Sequence, residues 1–168
     1  MKELISQEQI QQRVSELASQ ISKDYAGLTL DIVCLINSAS LFCADLIQQL
    51  TIPARLHFLA FSSYPNGNNS GEVRLTLDVN EPLFERHVLV IEAIVVSGRT
   101  PRYVLDLLAL RQPASLGMCA LGVKPAQLSV DLPLKYVAFE LGAEVAVGYG
   151  IGSGTEKLLP SLVDKNQI

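Results

Sequence analysis

The strongest constraint on the fold of this chain is an apolar strand followed, after a short polar turn, by a helix. The strand is predicted over residues 88–96, where Glu92 is the one charged residue. Such runs are typical of strands that are covered on both faces of a parallel sheet. The turn Ser97–Thr100 follows, with Thr100 as the predicted N-cap and Pro101 as the predicted first helical residue. The pattern predicts an α/β protein with a parallel centre.

The same turn can be interpreted in two ways. Free backbone N–H groups at a helix start, beside the hydroxyls of Ser97 and Thr100, would bind a phosphate dianion. Alternatively, Ser, Gly, Thr and Pro merely connect the strand to the helix, as they do in many α/β proteins. The turn alone leaves both interpretations open.

The composition predicts one globular domain over residues 1–168. Hydrophobic residues make up 49% of the chain and charged residues 18%, which is ordinary for a globular protein. No run approaches the ~20 apolar residues of a membrane span, and the N-terminus lacks a signal-peptide layout, so we expect a cytoplasmic protein without a membrane partner. A net charge of −4 and a pI near 5.1 argue against nucleic acid as a partner.

Cysteines and histidines are expected to be structural. Cys34, Cys43 and Cys119 lie in apolar stretches, which favours buried reduced thiols over disulfides or metal ligands. His57 and His87 fall at strand positions, and we expect them to be satisfied structural side chains.

The predicted elements alternate as in a mixed sheet flanked by helices. Ser6 and Gln9 form a capping box before a helix that ends near Gly27. A hairpin between Arg55 and Leu77 adds an antiparallel strand to the parallel centre. The remaining predictions are strands over Asp31–Ile36, Arg55–Phe61, Glu72–Leu77, Ser115–Val123 and Tyr136–Phe139, a helix over Ser40–Leu50, and a loop over Pro65–Gly71.

The segment from Val88 to Thr100 resembles the phosphoribosyl-diphosphate-binding motif of type I phosphoribosyltransferases, especially the hypoxanthine-guanine branch. That motif is an apolar strand, Glu-Asp, two apolar residues, Asp, Thr or Ser, Gly, any residue and Thr, and Glu92, Ser97, Gly98 and Thr100 match it. Further matches follow in the same order along almost the whole chain: Ala44–Leu46, Ser62–Tyr64, Lys124-Pro125, Val130–Pro133, Tyr136–Phe139 and Val147–Ile151. The resemblance implies a phosphoribosyltransferase-like mixed sheet flanked by helices, plus a small hood.

The resemblance also implies a chemistry and a set of roles. Family members displace pyrophosphate from phosphoribosyl diphosphate with a purine nitrogen, use Mg²⁺, and form dimers or tetramers, so a homo-oligomer is expected. Ser97, Gly98, Arg99 and Thr100 would hold the 5'-phosphate, and Lys124 would donate to the oxygen of a 6-oxopurine. Glu92 would face the ribose and is the one candidate for a metal ligand.

Several positions depart from the family pattern. Ala93 and Val96 stand where the family has two aspartates, and Val96 occupies the general-base position. Valine has no proton affinity, and loss of a general base typically costs ~100- to 10,000-fold in rate. The pyrophosphate loop, Ile36 to Ala39, has Asn37 in place of a basic residue. Val145 replaces the aromatic that stacks on the base, and Gly152 replaces an acid. These changes put the use of Mg²⁺ in doubt.

Two hypotheses follow. The first is a catalytically impaired hypoxanthine-guanine phosphoribosyltransferase homologue, a pseudoenzyme that retains a pocket for phosphate or a nucleoside monophosphate and has a binding or regulatory role. The second is an active purine phosphoribosyltransferase of purine salvage that uses relocated groups, for which Glu92, Asp78, Glu72 and Lys157 are the candidates.

Overall fold

A six-stranded mixed sheet forms the centre of the computed structural model, which describes residues 2–64 and 72–167. Its strand order is β4-β3-β2-β5-β6-β7, with all neighbours parallel except the antiparallel pair β3–β4. The predicted mixed sheet with a parallel centre is therefore confirmed. The elements are β1 (Glu3–Ile5), α1 (Gln7–Asp24), β2 (Leu30–Leu35), α2 (Ser40–Gln48), β3 (Ala54–Tyr64), β4 (Glu72–Leu77), β5 (His87–Val95), α3 (Arg99–Ala109), β6 (Ser115–Val123), β7 (Leu134–Glu140), β8 (Ala146–Val147) and β9 (Leu162–Asp164).

A second, three-stranded sheet of order β1-β9-β8 is antiparallel and brings the N-terminus to the C-terminal segment. We call this sheet, with the segment 148–161 that joins its last two strands, the hood. Its strands are two or three residues long, too short for a hydrophobic period, and the sequence did not predict them individually. The division into a single domain stays a prediction.

Helices cover both faces of the large sheet. On one face, α1 and α2 bury Ile10, Leu17 and Phe42 against the sheet residues Ile32 and Ile91. On the other face, α3 packs Val104, Leu105 and Leu108 against a second cluster of strand residues that includes Val88 and Val90. Burial on both faces explains why β2 and β5 are nearly continuous apolar runs. None of the helices in the described part of the chain is long and apolar enough to span a membrane.

Two helix boundaries differ in detail from the sequence prediction. The capping box of α1 is confirmed, since Ser6 Oγ accepts from Gln9 N–H and Gln9 Oε1 accepts from Ser6 N–H, but the helix ends at Asp24 before reaching Gly27. For α3 the predicted N-cap Thr100 is wrong. The N-cap is Gly98, so Thr100 and Pro101 lie inside the first turn, where the missing proline N–H still costs no intrahelical hydrogen bond.

A buried carboxylate at the opposite end of the parallel strands accounts for one of the histidines. Asp31 is fully buried and accepts from Arg55 at 3.0 Å and Arg86 at 3.1 Å, and it lies 2.8 Å from His57 Nε2. His57 therefore has a structural partner, as expected. His87 Nδ1 lies 2.8 Å from the hydroxyl of Ser115. The predicted loop Pro65–Gly71 lies outside the described residues.

Candidate functional site

A cavity opens where the parallel strands β2 and β5 end, the edge at which α/β sheets bind ligands. Its volume is about 400 Å³, and we call it the β2–β5 cavity. Its walls present both polar and apolar surface, and Phe61, Ile94 and Val95 are among the apolar residues. The polar side chains in its lining are those of Ser38, Glu92, Ser97 and Thr100. Among the residues that the structure describes, Glu92 is thus the single ionisable side chain of the lining.

The turn Ser97–Thr100, the phosphate turn below, forms one end of the cavity. Gly98 has φ +80°, in the left-handed region, and an added Cβ would lie 2.9 to 3.0 Å from Leu128, Val130 and Leu132. Only glycine fits there without a shift of its neighbours. Ser97 Oγ accepts from Arg99 N–H at 3.4 Å, and Arg102 N–H donates to Gly98 O at 2.9 Å. The first N–H groups of α3 consequently lie beside the two hydroxyls of the turn.

The segment 128–132, the brace below, holds the phosphate turn from behind. Ser129 donates to the carbonyl of Ser97 from both its backbone N–H, at 3.0 Å, and its hydroxyl, at 3.1 Å. Arg102 donates to the carbonyl of Asp131 at 3.4 Å. The sequence interpretation missed this support, although the alternating Leu128, Val130 and Leu132 were its signal.

Glu92 and Val96 line the cavity, whereas Ala93 does not. The carboxyl of Glu92 accepts a hydrogen bond from the backbone N–H of Ala93 at 2.7 Å, and burial raises the pKa of Glu92 to about 7. Val96 is 40% exposed and presents its side chain to the cavity. Ala93 is 2% exposed and packs in the core beneath α1 and α2. Adjacent strand residues point to opposite faces of the sheet. An acid at position 93 would therefore point into the core and would not join Glu92 in the cavity.

The pyrophosphate loop supplies no cation to the cavity. Ile36 and Ser38 line it, Asn37 is exposed and uncharged, and Ala39 is buried. The hood lies directly against this loop, because a Cβ at Gly150 would stand 3.2 Å from the carbonyl oxygen of Ser38.

The two residues expected at the base lie outside the lining of the β2–β5 cavity. Lys124 is 8% exposed and donates from Nζ to the backbone carbonyl of Glu144 at 2.7 Å. Val145 follows Glu144 and is 44% exposed. Gly152 has φ +112°, and a Cβ there would stand 3.3 Å from Val147, so a side chain would be strained in this conformation.

Among the relocated groups whose side chains the structure describes, Glu92 is the one that lines the cavity. Asp78 pairs with Arg111, its Oδ2 lying 2.6 Å from Nη2, and it also accepts from the N–H of Val79. Lys157 lies in the hood and is absent from the lining, and the side chain of Glu72 is outside what the structure describes. Within residues 2–64 and 72–167, no group of three or more His, Cys, Asp or Glu side chains is arranged to hold a metal ion.

Comparison with known proteins places this geometry in a family. The phosphoribosyl transferase domain family matches residues 2–152, which is most of the chain. The protein belongs to the phosphoribosyltransferase family. Relatives include the hypoxanthine phosphoribosyltransferases of Haemophilus influenzae, 38% identical over 152 residues (88% of this chain and 85% of the relative), and of Salmonella typhimurium, 35% identical over 151 residues (88% and 85%).

Solved phosphoribosyltransferase structures have the same fold. A hypoxanthine-guanine phosphoribosyltransferase from Bacillus anthracis, with a HEPES molecule in its active site, superposes with a TM-score of 0.91 at 33% identity and covers 98% of this chain and 96% of its own. A hypoxanthine phosphoribosyltransferase from Trypanosoma cruzi in complex with the product IMP gives 0.90 at 30% identity, with 98% and 93% coverage. The resemblance to the hypoxanthine-guanine branch is confirmed.

Proposed function

We propose that this phosphoribosyltransferase is a catalytically impaired hypoxanthine-guanine phosphoribosyltransferase homologue that binds phosphate or a nucleoside monophosphate in a binding or regulatory role. The observation that carries the proposal is Val96, which lines the β2–β5 cavity at the position where the resembled motif has its general base. Proteins named hypoxanthine phosphoribosyltransferase among the relatives support the ligand class.

The cavity is poorly equipped for the transfer itself. Displacement of pyrophosphate by a purine needs an acceptor for the purine proton and positive charge on the leaving group. The isopropyl group of Val96 accepts no proton, and Asn37 brings no charge to the pyrophosphate loop. Each deficit acts on a different part of the transition state, so their effects on the rate combine.

The same cavity is suited to an anion. The phosphate turn presents the backbone N–H of Thr100 together with the hydroxyls of Ser97 and Thr100, whereas the N–H of Arg99 already donates to Ser97 Oγ. The first turn of α3 contains no acidic residue, and Arg99, the first residue of α3, is exposed and does not belong to the cavity lining. Of the lining residues that the structure describes, Glu92 is the one with a carboxyl, which opposes a phosphate.

The residues present do not fit a family-type Mg²⁺ site. Magnesium is held by ionised carboxylates, usually one or two, together with substrate phosphates. Within residues 2–64 and 72–167 the cavity offers only Glu92, whose carboxyl is turned onto the N–H of Ala93 and whose pKa of about 7 leaves it half protonated at neutral pH. We therefore assign no step of the proposed function to a metal.

One observation favours the second hypothesis, an active purine phosphoribosyltransferase. A carboxyl with a pKa of about 7 inside the cavity is matched to general-base work near neutral pH. If Glu92 serves as the base, Glu92→Gln abolishes turnover, whereas under the impaired hypothesis the native protein has almost none to lose.

The deciding experiment measures nucleotide formation from phosphoribosyl diphosphate and Mg²⁺ with hypoxanthine, guanine or xanthine, beside the Haemophilus influenzae enzyme as a positive control. We expect the native protein to stay near background. A magnesium-dependent rate within tenfold of the control that disappears in Glu92→Gln would establish the active hypothesis. Calorimetric titration with inorganic phosphate and IMP tests the binding part, with loss of affinity expected in a Ser97→Ala, Thr100→Val double variant.

We further propose that the protein acts in the cytoplasm as a homo-oligomer. Leu56 and Phe58 support the oligomer, since they lie on the same face of β3 and remain substantially exposed. Light scattering coupled to gel filtration tests it, and a monomeric mass over the micromolar range would contradict it.

A further inference from the structure

Lys124 and Val145, the two residues expected to contact the base, offer it few interactions. Lys124, the residue that resemblance assigns to the base oxygen, is almost fully buried and already donates to the carbonyl of Glu144. Its own N–H donates to the carbonyl of Val95 at 3.0 Å, which anchors the residue at the sheet edge. Because Nζ already donates a hydrogen bond, Lys124 has fewer donors left for a base than a lysine whose ammonium group has no partner.

Val145 also removes the stacking interaction that an aromatic side chain would make with the base. A stacked aromatic ring is worth about 0.5 to 1.5 kcal/mol beyond its buried area, which corresponds to roughly two- to tenfold in affinity. The branched side chain of Val145 has no π face, and it is partly open to solvent. A base near this position therefore gains only a small apolar contact.

The phosphate end, by contrast, is built rigidly. Gly98 has left-handed geometry against the brace, and two hydrogen bonds from Ser129 hold the carbonyl of Ser97. A bound phosphate therefore meets donors that are already in place, which lowers the entropic cost of binding. Glu92 lies in the same cavity, where its carboxyl can contact a sugar hydroxyl.

We infer that the site recognises its ligand by the 5-phosphate of a phosphorylated pentose and discriminates little among the bases attached to it. This inference rests on the proposed function and specifies its ligand class as pentose phosphomonoesters. Purine, pyrimidine and base-free members of the class all present the same dianion to the phosphate turn. Lys124, the described polar side chain expected to distinguish their bases, lies outside the cavity lining.

The test is calorimetric titration of the native protein with IMP, AMP, UMP and ribose 5-phosphate, with inosine as the ligand that has a base and sugar but no phosphate. We expect the four phosphomonoesters to have dissociation constants within tenfold of each other and inosine to bind at least 100-fold more weakly. IMP binding more than tenfold tighter than both AMP and ribose 5-phosphate would overturn the inference and leave the proposed function intact. Absence of binding by every phosphomonoester would overturn the proposed function as well.

A restored ring tests the assignment to Val145. We expect Val145→Phe to tighten IMP and AMP two- to tenfold and to leave ribose 5-phosphate unchanged. Leu158→Phe is the matched control, because this hood side chain is more exposed than Val145 and should change no affinity. If Val145→Phe fails to tighten IMP and AMP, or tightens ribose 5-phosphate equally, the assignment to Val145 is wrong.

Discussion

The carboxyl of Glu92 accepts a hydrogen bond from the backbone N–H of Ala93, the very next residue of β5, at 2.7 Å. Glu92, the one ionisable side chain among the described residues of the cavity lining, is therefore hydrogen-bonded to its own strand. Burial is the larger influence on this carboxyl and raises its pKa from 4.5 to about 7, although the hydrogen bond from Ala93 opposes the shift. Protonation of Glu92 is thus coupled to folding near neutral pH.

This coupling predicts a stability that falls as the pH rises. With a folded-state pKa of about 7 and an unfolded value near 4.5, the folded protein binds more protons between these values. The contribution of Glu92 to the free energy of unfolding is then highest below pH 4.5, declines up to pH 7 and stays constant above. We expect Glu92→Gln to remove this decline and to be the more stable protein at pH 8, by at most about 3.5 kcal/mol, since one pKa unit corresponds to about 1.4 kcal/mol.

Urea unfolding at pH 5 and pH 8 measures the effect. The matched control is Glu140→Gln, an exposed glutamate at the end of β7, which should retain the native pH dependence. The same decline in Glu92→Gln as in the native protein would show that another group causes it.

Restoring acids at the two altered positions should have unequal effects. Val96 faces the cavity, so Val96→Asp places a carboxylate where the resembled motif has its base, and we expect turnover above background yet at least ~100-fold below an active relative, because Asn37, Val145 and Gly152 are unchanged. Ala93 is buried in the core, so adding Ala93→Asp should lower the free energy of unfolding by more than the roughly 1 to 3 kcal/mol that an unpaired neutral polar group costs, without completing the rescue. Full activity of the double variant, measured as nucleotide formation, would contradict this prediction.

Ala93 shows both what the sequence predicted and where it failed. The family resemblance treats positions 92 and 93 as an acidic pair, but strand alternation sends neighbouring side chains to opposite faces, and the structure follows the alternation. The parallel strands and the capping box of α1 were predictable because burial on both faces and local hydrogen bonding leave a direct pattern in the residues. The N-cap of α3 was not predictable, since Gly98 and Thr100 are both acceptable N-caps. Contacts with the brace, which is distant in the sequence, favour the left-handed Gly98.

The three cysteines should be inert in the folded protein. Cys34, Cys43 and Cys119 are all buried, and burial raises the pKa of Cys119 to about 12, which keeps this thiol protonated at neutral pH. For Cys43, the hydrogen bond to Cys34 and burial both raise the pKa. We expect almost no reaction with a thiol-specific disulfide reagent in the native state and reaction of all three thiols in denaturant. Rapid modification of any thiol in the native protein would show that the core opens.

Paired glycine substitutions should separate backbone strain from the packing of the brace. Gly98 and Gly27 have nearly the same left-handed φ, +80° and +78°, but a Cβ at Gly27 would meet nothing within 4 Å, whereas at Gly98 it would press on Leu128 and Val130. Gly27→Ala should therefore cost only the left-handed conformation of a non-glycine residue, about 1 to 2 kcal/mol. Gly98→Ala should cost an additional 1 to 3 kcal/mol for overpacking, and it should weaken phosphate binding because the brace has to move. Urea unfolding and phosphate titration of both variants measure the two effects. Equal losses of stability, with phosphate affinity unchanged in Gly98→Ala, would show that the brace does not position the phosphate turn.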